Sequence, residues 1–507
     1  MRHEWTKGWA GAGTSGHLDR VKQGLPSPPM LRRLRSQAVF AAQVDFDPVV
    51  VVLIFGAIFE VVFLPYILTS RGLAPAAMTL VGPCAAIWFL RRPANGLLLA
   101  VIVLLIIPYW YAHVWLVAPL FAVVGLAAGV ARTRVRVVDA AFGLVLADFV
   151  ASWALHPELD VGLKVAVEGL IPFGYYVWVR LSVDEEALPR IQWAALLAAG
   201  LAACTVIYEA IRGVAAFVDP QVYQWSGSSG AVFRPGGVFG GSPTAATVLS
   251  LVLLASVALY QQRPRTFAGV ATVIVIAVGL TLDRAGLLAL TGGALLLALL
   301  LPYRRWRRLA LAALAATIPI YAVTSSPSTV ASLGRSQVVS QGLIRSDTLS
   351  DRVSLAATAM PLLADSRSHF LFGRGFDALE APGRHDSGLA AAPDLWVTHD
   401  GPNDDYLRAM LEQGLTGLVL LLAWLGGACA LGVRTSLRLR KGSRQRAQVA
   451  GLTSATFGYM LASIGHDFAH NVADLSVAAL ITGLLVTACT LATNPELQQG
   501  GRAPRHG

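Results

Sequence analysis

A segment late in the chain combines side chains that can accept a proton from a hydroxyl group. It reads HDGPNDDYLRAMLEQGLTG from His399 to Gly417, and its ionisable groups include Asp404 and Asp405. Histidine and carboxylates are the side chains that act most often as general bases. A long apolar stretch follows directly, so the segment is predicted to lie at a membrane surface, where it could activate an acceptor hydroxyl.

Three arginines near apolar stretches suit a ligand that carries phosphate groups. Arg234 lies in FRPGGVFGGSPTAA, Arg284 in TLDRAGLLAL, and Arg352 in LSDRVSLAATAM. A guanidinium is always charged and its forked donors match phosphate oxygens, so such residues suit an anionic ligand. Pairing of Arg284 with Asp283, contacts with lipid headgroups, and a structural role for Arg352 are the alternatives.

The composition of the 507-residue chain indicates a protein made of membrane-spanning helices. Apolar residues form 55% of the sequence and charged residues 14%, whereas soluble domains carry about 25% charged residues. Apolar stretches of about 20 residues can cross a bilayer, and they do so as helices because hydrocarbon offers the backbone no other hydrogen-bond partners. We predict about fourteen spans, at 48–69, 73–90, 94–110, 113–131, 137–154, 162–180, 191–211, 237–260, 266–282, 285–303, 309–325, 414–433, 447–465 and 473–493.

Positive charge recurs in alternate connections and predicts the orientation of the chain in the membrane. The basic connections contain Arg91 and Arg92, Arg132 to Arg136, Arg263 and Arg265, Arg304 to Arg308, and Arg434 to Arg446. Cytoplasmic loops are enriched in Lys and Arg, so we predict that both termini are cytoplasmic. The net charge of +10 then reflects topology, and nucleic acid is not an expected partner.

These patterns divide the chain into five segments. A basic cytoplasmic tail at 1–47 precedes transmembrane helices at 48–325, and a large loop outside the cytoplasm at 326–413 precedes further transmembrane helices at 414–493 and a cytoplasmic tail at 494–507. Loops longer than about 15 residues usually have a function, so we expect a helical cap over the membrane. From Arg335 to Glu412 this loop has seven arginines and eleven carboxylates, a balance that favours carbohydrate over lipid headgroups.

The motifs resemble those of the O-antigen ligase and polymerase superfamily. Members carry a His-Asn-Asp-Tyr-Leu motif, then Glu-x-Gly, then Gly, preceded by an arginine-led helix and a Gly-x-Gly turn. The residues that fall on this spacing are Asp405, Tyr406, Leu407, Glu412, Gly414 and Gly417, with Gly373 and Gly375 before them. Asn403 stands where the superfamily has its histidine.

The resemblance implies an all-α, GT-C-like membrane glycosyltransferase at the outer face of the bacterial inner membrane. Its donor would be a glycan on undecaprenyl diphosphate, its acceptor a glycan or lipid hydroxyl, and its reaction would need neither metal nor cofactor. Arg234, Arg284 and Arg352 would bind the donor, with Asn403 and Tyr406 also in the substrate site. Polymerase and ligase share these motifs, so both remain open.

The general base is left open by the sequence. An amide cannot take a proton at neutral pH, so Asn403 cannot replace the histidine of the motif. His399 lies four residues earlier and is our first choice, while Asp404 and Asp405 are carboxylate alternatives, and a base elsewhere or an inactive site is a further one.

A lipid-linked glycan flippase or transporter is the alternative from another functional class. Ionisable residues inside predicted spans are costly in lipid and suggest function, and they are Glu60, Asp148, Lys164, Glu168 and Glu209. A flippase of this size would be expected to show internal repeats and a charged central cavity. The long loop and the absence of a repeat in the sequence favour the enzyme. In GHDFAHN, His466 and His470 are candidates for a helix-capping or lipid-headgroup role, for an acceptor-binding or supporting role, or for a metal site, which would need a further ligand.

Overall fold

A computed structural model of the protein describes residues 93–106, 136–154, 169–214, 216–217, 235–281, 283–301, 363, 365–375, 405–464 and 472–493. Both predicted tails lie outside these residues, as do the predicted spans at 48–69, 73–90, 113–131 and 309–325.

Every regular element among the described residues is helical. The α-helices are α1 (Pro93–Ile106), α2 (Val137–Ala154), α3 (Ile171–Ser182), α4 (Ala187–Arg212), α5 (Ser242–Ala255), α6 (Pro264–Leu280), α7 (Arg284–Leu300), α8 (Arg367–Phe372), α9 (Asp405–Arg438), α10 (Arg444–Ala462) and α11 (Val472–Thr493). Short 3₁₀ turns, Gly237–Phe239 and Val257–Gln261, flank α5.

Apart from the short α8, each of these helices overlaps a predicted span. Three helical stretches are long and apolar enough to cross a membrane, Ala187–Arg212, Asp405–Arg438 and Asp474–Thr493, and four shorter ones are apolar. The chain is therefore an all-helical membrane protein in its described part. The number of about fourteen spans and the GT-C-like class stay predictions.

Helix α10 occupies the centre of the bundle and packs against α5, α7, α9 and α11. Its sequence, RQRAQVAGLTSATFGYMLA, is rich in small residues, which let membrane helices approach closely. A Cβ on Gly458 would lie 2.8 Å from the carbonyl oxygen of Ala289 in α7, and one on Gly293 would lie 2.8 Å from that of Ser454. The contact between α7 and α10 therefore depends on glycine in both helices.

One end of the bundle is held together by buried arginines, and we call it the basic end. The Arg446 side chain donates to the carbonyl oxygen of Leu300 at the end of α7 (2.8 and 3.2 Å) and to that of Leu439 just after α9 (3.3 Å). Arg180 near the end of α3 forms an ion pair with Asp139 at the start of α2 (2.8 Å). These contacts place the ends of α3, α7 and α9 beside the starts of α2 and α10.

The opposite end, which we call the site end, contains the starts of α5, α7, α9 and α11 and the ends of α4 and α10. Thr244 in α5 contacts Asp474 in α11, and Asp405 at the start of α9 contacts Ser463 just after α10. Helix ends therefore alternate between the two ends of the bundle, as expected for a chain that crosses a membrane repeatedly. Which side of the membrane each end faces stays a prediction.

Candidate active site

Helix α9, which contains the motif from Asp405 onward, is divided by a kink at Gly414. This residue has φ 71° and ψ −166°, a backbone region that is essentially restricted to glycine. The turns before the kink, from Asp405 to Gln413, carry the polar motif residues, and the turns after it form the apolar span. The kink falls at the boundary that the sequence predicted between the large loop and the next span.

The Gly-x-Gly turn at 373–375 packs backbone against backbone on this kink. Gly373 has φ 73° and ψ −171°, and a Cβ there would overlap the backbone of Glu412, as a Cβ on Gly414 would overlap that of Leu371. The N–H groups of Arg374 and Gly375 donate to the carbonyl oxygens of Leu411 and Glu412 at 2.9 and 3.0 Å. Two motifs of the sequence thus form one structural unit, which we call the glycine lock.

A charged cluster supports the glycine lock. The Arg374 side chain is buried and forms an ion pair with Asp365, whose other oxygen lies 2.8 Å from Nδ1 of His369. Desolvation raises the pKa of Asp365, but the hydrogen bond from His369 and the charge of Arg374 outweigh it and hold the pKa below its usual value. The carboxylate therefore adds stability above the usual pKa, and this contribution is lost as the pH falls through the lowered pKa. This buried ion pair gives Arg374 a structural role at the turn.

Asp405 and Tyr406 attach the start of α9 to the end of α10. The backbone N–H of Asp405 donates to the carbonyl oxygen of Ser463 (3.0 Å), and its side chain is buried. The Tyr406 hydroxyl donates to the carbonyl oxygen of Met460 (2.7 Å). These contacts position the beginning of the motif, while the predicted roles of Asp405 as a base and Tyr406 in substrate binding stay predictions.

The motif glutamate, Glu412, forms a buried ion pair that was not predicted from the sequence. Arg408 lies one turn earlier and its Nε is 3.1 Å from Glu412 Oε1, with side-chain exposures of 4% and 0%. Removing one member of a buried pair typically costs about 3–5 kcal/mol, because the other charge is left uncompensated. The i,i+4 spacing in RAMLE was a signal that could have revealed the pair.

Arg284 is the first residue of α7 and its side chain is exposed. The preceding Asp283 caps the helix, since its Oδ2 accepts the backbone N–H of Gly286 at 2.7 Å. A Cβ on Gly286 would overlap Ala246 of α5, and the Ser250 hydroxyl donates to the Gly286 carbonyl (3.1 Å). The start of α7 is thus fixed tightly against α5, in the turn that carries Arg284.

The start of α5 is fixed by a contact to the last helix. Gly241 is the N-cap residue of α5, and no side chain caps the helix. The Thr244 hydroxyl instead donates to Asp474 of α11 (2.9 Å), and both residues are buried. Asp474 was not predicted as a functional residue, although an acidic residue at the start of an apolar helix suggests a function.

Of the five ionisable residues that the sequence suggested as functional, Asp148 and Glu209 are described, and both lie toward the site end. A Cβ on Gly417 would lie 3.0 Å from Asp148 Oδ2 of α2, and this buried oxygen has no hydrogen-bond partner among the described residues. Ser152, one turn later on α2, donates to the Glu412 carbonyl (3.2 Å). The second residue, Glu209, lies at the end of α4 and binds backbone N–H groups.

The other predicted site residues fall outside the described part of the chain. They are Arg234, Arg352, His399, Asn403 and Asp404, together with the histidines of GHDFAHN, His466 and His470. Their neighbours in sequence are described, however: Pro235 follows Arg234, and Asp405 follows Asp404.

An all-helical membrane protein with a kinked polar helix at one end is the class that the fold and the site define. A family model described as O-antigen ligase matches residues 269–422, which confirms the resemblance to the O-antigen ligase and polymerase superfamily. The match begins within α6 and ends in α9 just after the glycine lock. No curated protein matches the chain.

Proposed function

We propose that this protein is a membrane glycosyltransferase of the surface polysaccharide polymerase or O-antigen ligase type. It would take a glycan from an undecaprenyl-diphosphate-linked donor and transfer it to an acceptor hydroxyl at the outer face of the bacterial inner membrane. The observation that carries this proposal is the O-antigen ligase match over residues 269–422, which includes Arg284 and the motif residues Asp405, Tyr406, Glu412 and Gly414.

The proposed reaction is a displacement at the anomeric carbon of the donor. The acceptor hydroxyl forms the new glycosidic bond as the bond to the diphosphate oxygen breaks, with inversion, and the hydroxyl proton passes to a base. Charge develops on the departing diphosphate, where fixed cations stabilise it. Arg234 and Arg284, with Arg352, supply those cations, so that no metal is required. His399 is the proposed base, with Asp404 or Asp405 as alternatives, and Asn403 and Tyr406 contact the substrate.

The arrangement of the site end supports this assignment. The helices that follow Arg234 and begin with Arg284, α5 and α7, are packed together at their starts. Helix α10 packs against both. Ser463, just after α10, accepts a hydrogen bond from Asp405 at the start of the motif helix α9. The starts of α5, α7 and α9 are distant in sequence but lie at the same end of the bundle. A site that binds both a diphosphate and an acceptor requires such an arrangement.

Purified protein in detergent tests the enzyme against the flippase. An undecaprenyl-diphosphate glycan and an acceptor should give a longer glycan or a glycan attached to the acceptor, detected by gel electrophoresis and mass spectrometry. A flippase only moves its substrate between the two leaflets of a bilayer, so in a detergent micelle it forms no product.

In cells, deletion of the gene should leave a single capped repeat if the protein is a polymerase, or unattached glycan if it is a ligase. Normal surface glycan together with no transfer in vitro would reject the proposal.

A further inference from the structure

The short helix α8 ends in three consecutive apolar side chains that are exposed. Phe370 is 38% exposed, Leu371 43% and Phe372 58%. The first residue of the helix, Arg367, is also exposed, and it lines an open groove with Ser366, Phe370 and Leu371. Contiguous exposed apolar groups usually mark a surface that contacts a membrane or another protein.

The glycine lock fixes the end of α8 beside the first turn of the span in α9. The Thr416 hydroxyl donates to the carbonyl oxygen of Leu371 (2.8 Å), and a Cβ on Gly414 would overlap the backbone of Leu371. Thr416 is the second residue after the kink at Gly414. The end of α8, with Leu371 and Phe372, therefore lies at the level where the apolar part of α9 begins.

The length of α9 places this level at a boundary of the membrane. The turns between the kink and Arg434, at 415–433, contain no charged residue and would extend about 28 Å at the rise of an α-helix. The hydrocarbon core of a bilayer is about 30 Å thick. Because Arg434 and Arg438 are exposed at the basic end, they mark one boundary, and the kink at Gly414 marks the other.

The exposed part of α8 continues a face of α9 that is itself exposed and apolar. Thr416, Val419 and Leu422 are spaced three residues apart and so share one face of the helix. Val419 is 53% exposed and Leu422 40%. In a chain that crosses a membrane, such a face contacts lipid. Since Leu371 is bonded to Thr416 at the start of this face, the apolar end of α8 extends the surface that contacts lipid.

We propose that α8 is an interfacial anchor that contacts the bilayer in which the chain is embedded. Phe370, Leu371 and Phe372 insert at the boundary between headgroups and acyl chains, and the Arg367 guanidinium lies among the lipid phosphates, whose charge it complements. A basic residue beside Phe and Leu is typical of helices that lie in this interface. The inference concerns contact with lipid and goes beyond the proposed function, on which it does not depend.

Depth-dependent quenching of fluorescence in nanodiscs tests this inference. The full-length protein, with its four native cysteines replaced by Ala, is placed in nanodiscs of phosphatidylethanolamine and phosphatidylglycerol. A bimane fluorophore is attached at Phe370→Cys or Phe372→Cys. Leu422→Cys, on the exposed face of the span, is the lipid reference, and Glu186→Cys is the aqueous reference, because the Glu186 side chain is 85% exposed at the basic end.

We expect a nitroxide in the lipid headgroup to quench bimane at Phe370→Cys and Phe372→Cys more strongly than a nitroxide at the middle of the acyl chain does. Leu422→Cys lies about two turns further into the span and should show the reverse order. Iodide, which stays in water, should quench Glu186→Cys strongly and the two α8 positions much less. This combination of results places the end of α8 in the interface.

Two results would overturn the inference. Strong quenching by iodide with weak quenching by both lipids would show that α8 faces solvent, and protection from all three quenchers would show that protein covers it. If neither labelled variant folds, p-benzoylphenylalanine at position 372 should cross-link to lipid under ultraviolet light, and cross-links to protein alone would reject the anchor. Glycan transfer by the wild type is measured separately, so its absence would reject the proposed function and leave the anchor standing.

Discussion

At the scale of single residues, the site end contains charges that are satisfied inside the protein and charges that face outward. Arg408 and Glu412 are buried and paired, and Glu209 is buried among backbone donors. Arg284 is exposed at the first turn of α7, where the aligned backbone dipoles also favour an anion. The buried residues therefore shape the site end, and Arg284 is exposed to solvent there.

The first prediction concerns Arg284. We expect Arg284→Ala to slow glycan transfer on the order of 10²–10³-fold, because a donor to the departing diphosphate is lost. Arg284→Lys should retain part of the rate, since it keeps the charge but not the forked geometry. Initial rates and thermal unfolding of the purified variants measure both effects.

Thermal stability should not change in either variant, because the side chain is exposed and Asp283 still caps α7. Arg190→Ala is the matched control: its side chain is 67% exposed at the basic end of the bundle. It should transfer at the wild-type rate. A fully active Arg284→Ala would remove this arginine from the site.

The second prediction concerns the base. His399→Ala should nearly abolish transfer and leave binding of the lipid-linked donor intact, because a base acts on the attacking hydroxyl and not on the diphosphate. Asp404→Asn and Asp405→Asn should be milder. Rates measured at saturating donor, with donor affinity measured separately, distinguish the two steps.

The Asn403→His change restores the histidine of the superfamily motif. If His399 reaches the same place from a loop, this change should rescue His399→Ala. An active His399→Ala with a dead Asp404→Asn or Asp405→Asn would instead identify a carboxylate as the base.

At the scale of elements, the glycine lock joins two short motifs that are distant in the sequence. Gly373 and Gly414 each bring backbone against backbone, and both adopt φ/ψ values that other residues rarely reach. The Thr416 hydroxyl adds a bond to the Leu371 carbonyl (2.8 Å). The lock joins residues 371–375 to the span that begins at the kink.

The third prediction tests the glycine lock with a matched pair of substitutions in α9. Gly414→Ala should lower the free energy of unfolding by about 1–3 kcal/mol through backbone strain. Overlap of the new Cβ with the backbone of Leu371 should add to this loss. Gly426→Ala lies in the same helix, where a new Cβ would meet nothing within 4 Å. It should be neutral or stabilising by up to about 1 kcal/mol.

Thermal unfolding in one detergent, with transfer rates in parallel, compares the two variants. Equal stability of Gly414→Ala and Gly426→Ala would show that the lock does not carry strain.

The helices could be predicted from the sequence because apolar length is a local property. The predicted spans at 191–211, 285–303 and 473–493 agree closely with α4, α7 and α11. The contact between Gly373 and Gly414, the bonds from backbone N–H groups to Glu209, and the bond from Thr244 to Asp474 were not predicted. Each joins residues through backbone or polar contacts at long range, and such contacts leave no periodic pattern in the sequence.

At the scale of the whole molecule, polar contacts are concentrated at the two ends of the bundle and the centre is closed by small residues. At the basic end, Arg446 donates to the carbonyl oxygens of Leu300 and Leu439. At the site end, Asp283, Asp474 and Glu209 accept hydrogen bonds from N–H or hydroxyl groups. The basic connections at 263–265 and 434–446 lie at the basic end, which under the positive-inside rule would face the cytoplasm.

The last prediction is that the basic end is cytoplasmic and the site end, with residues 326–413, lies outside. Cysteines introduced at Ser328 and Ser387 should react with a membrane-impermeant thiol reagent in intact cells or spheroplasts. Lys441→Cys, at an exposed position in the turn between α9 and α10, should react only after permeabilisation. The parent protein, with its native cysteines, gives the background; Cys429 and Cys489 are buried. Labelling of Lys441→Cys in intact cells with protection of Ser328→Cys and Ser387→Cys would invert the topology, and it would contradict the proposal that the site lies at the outer face.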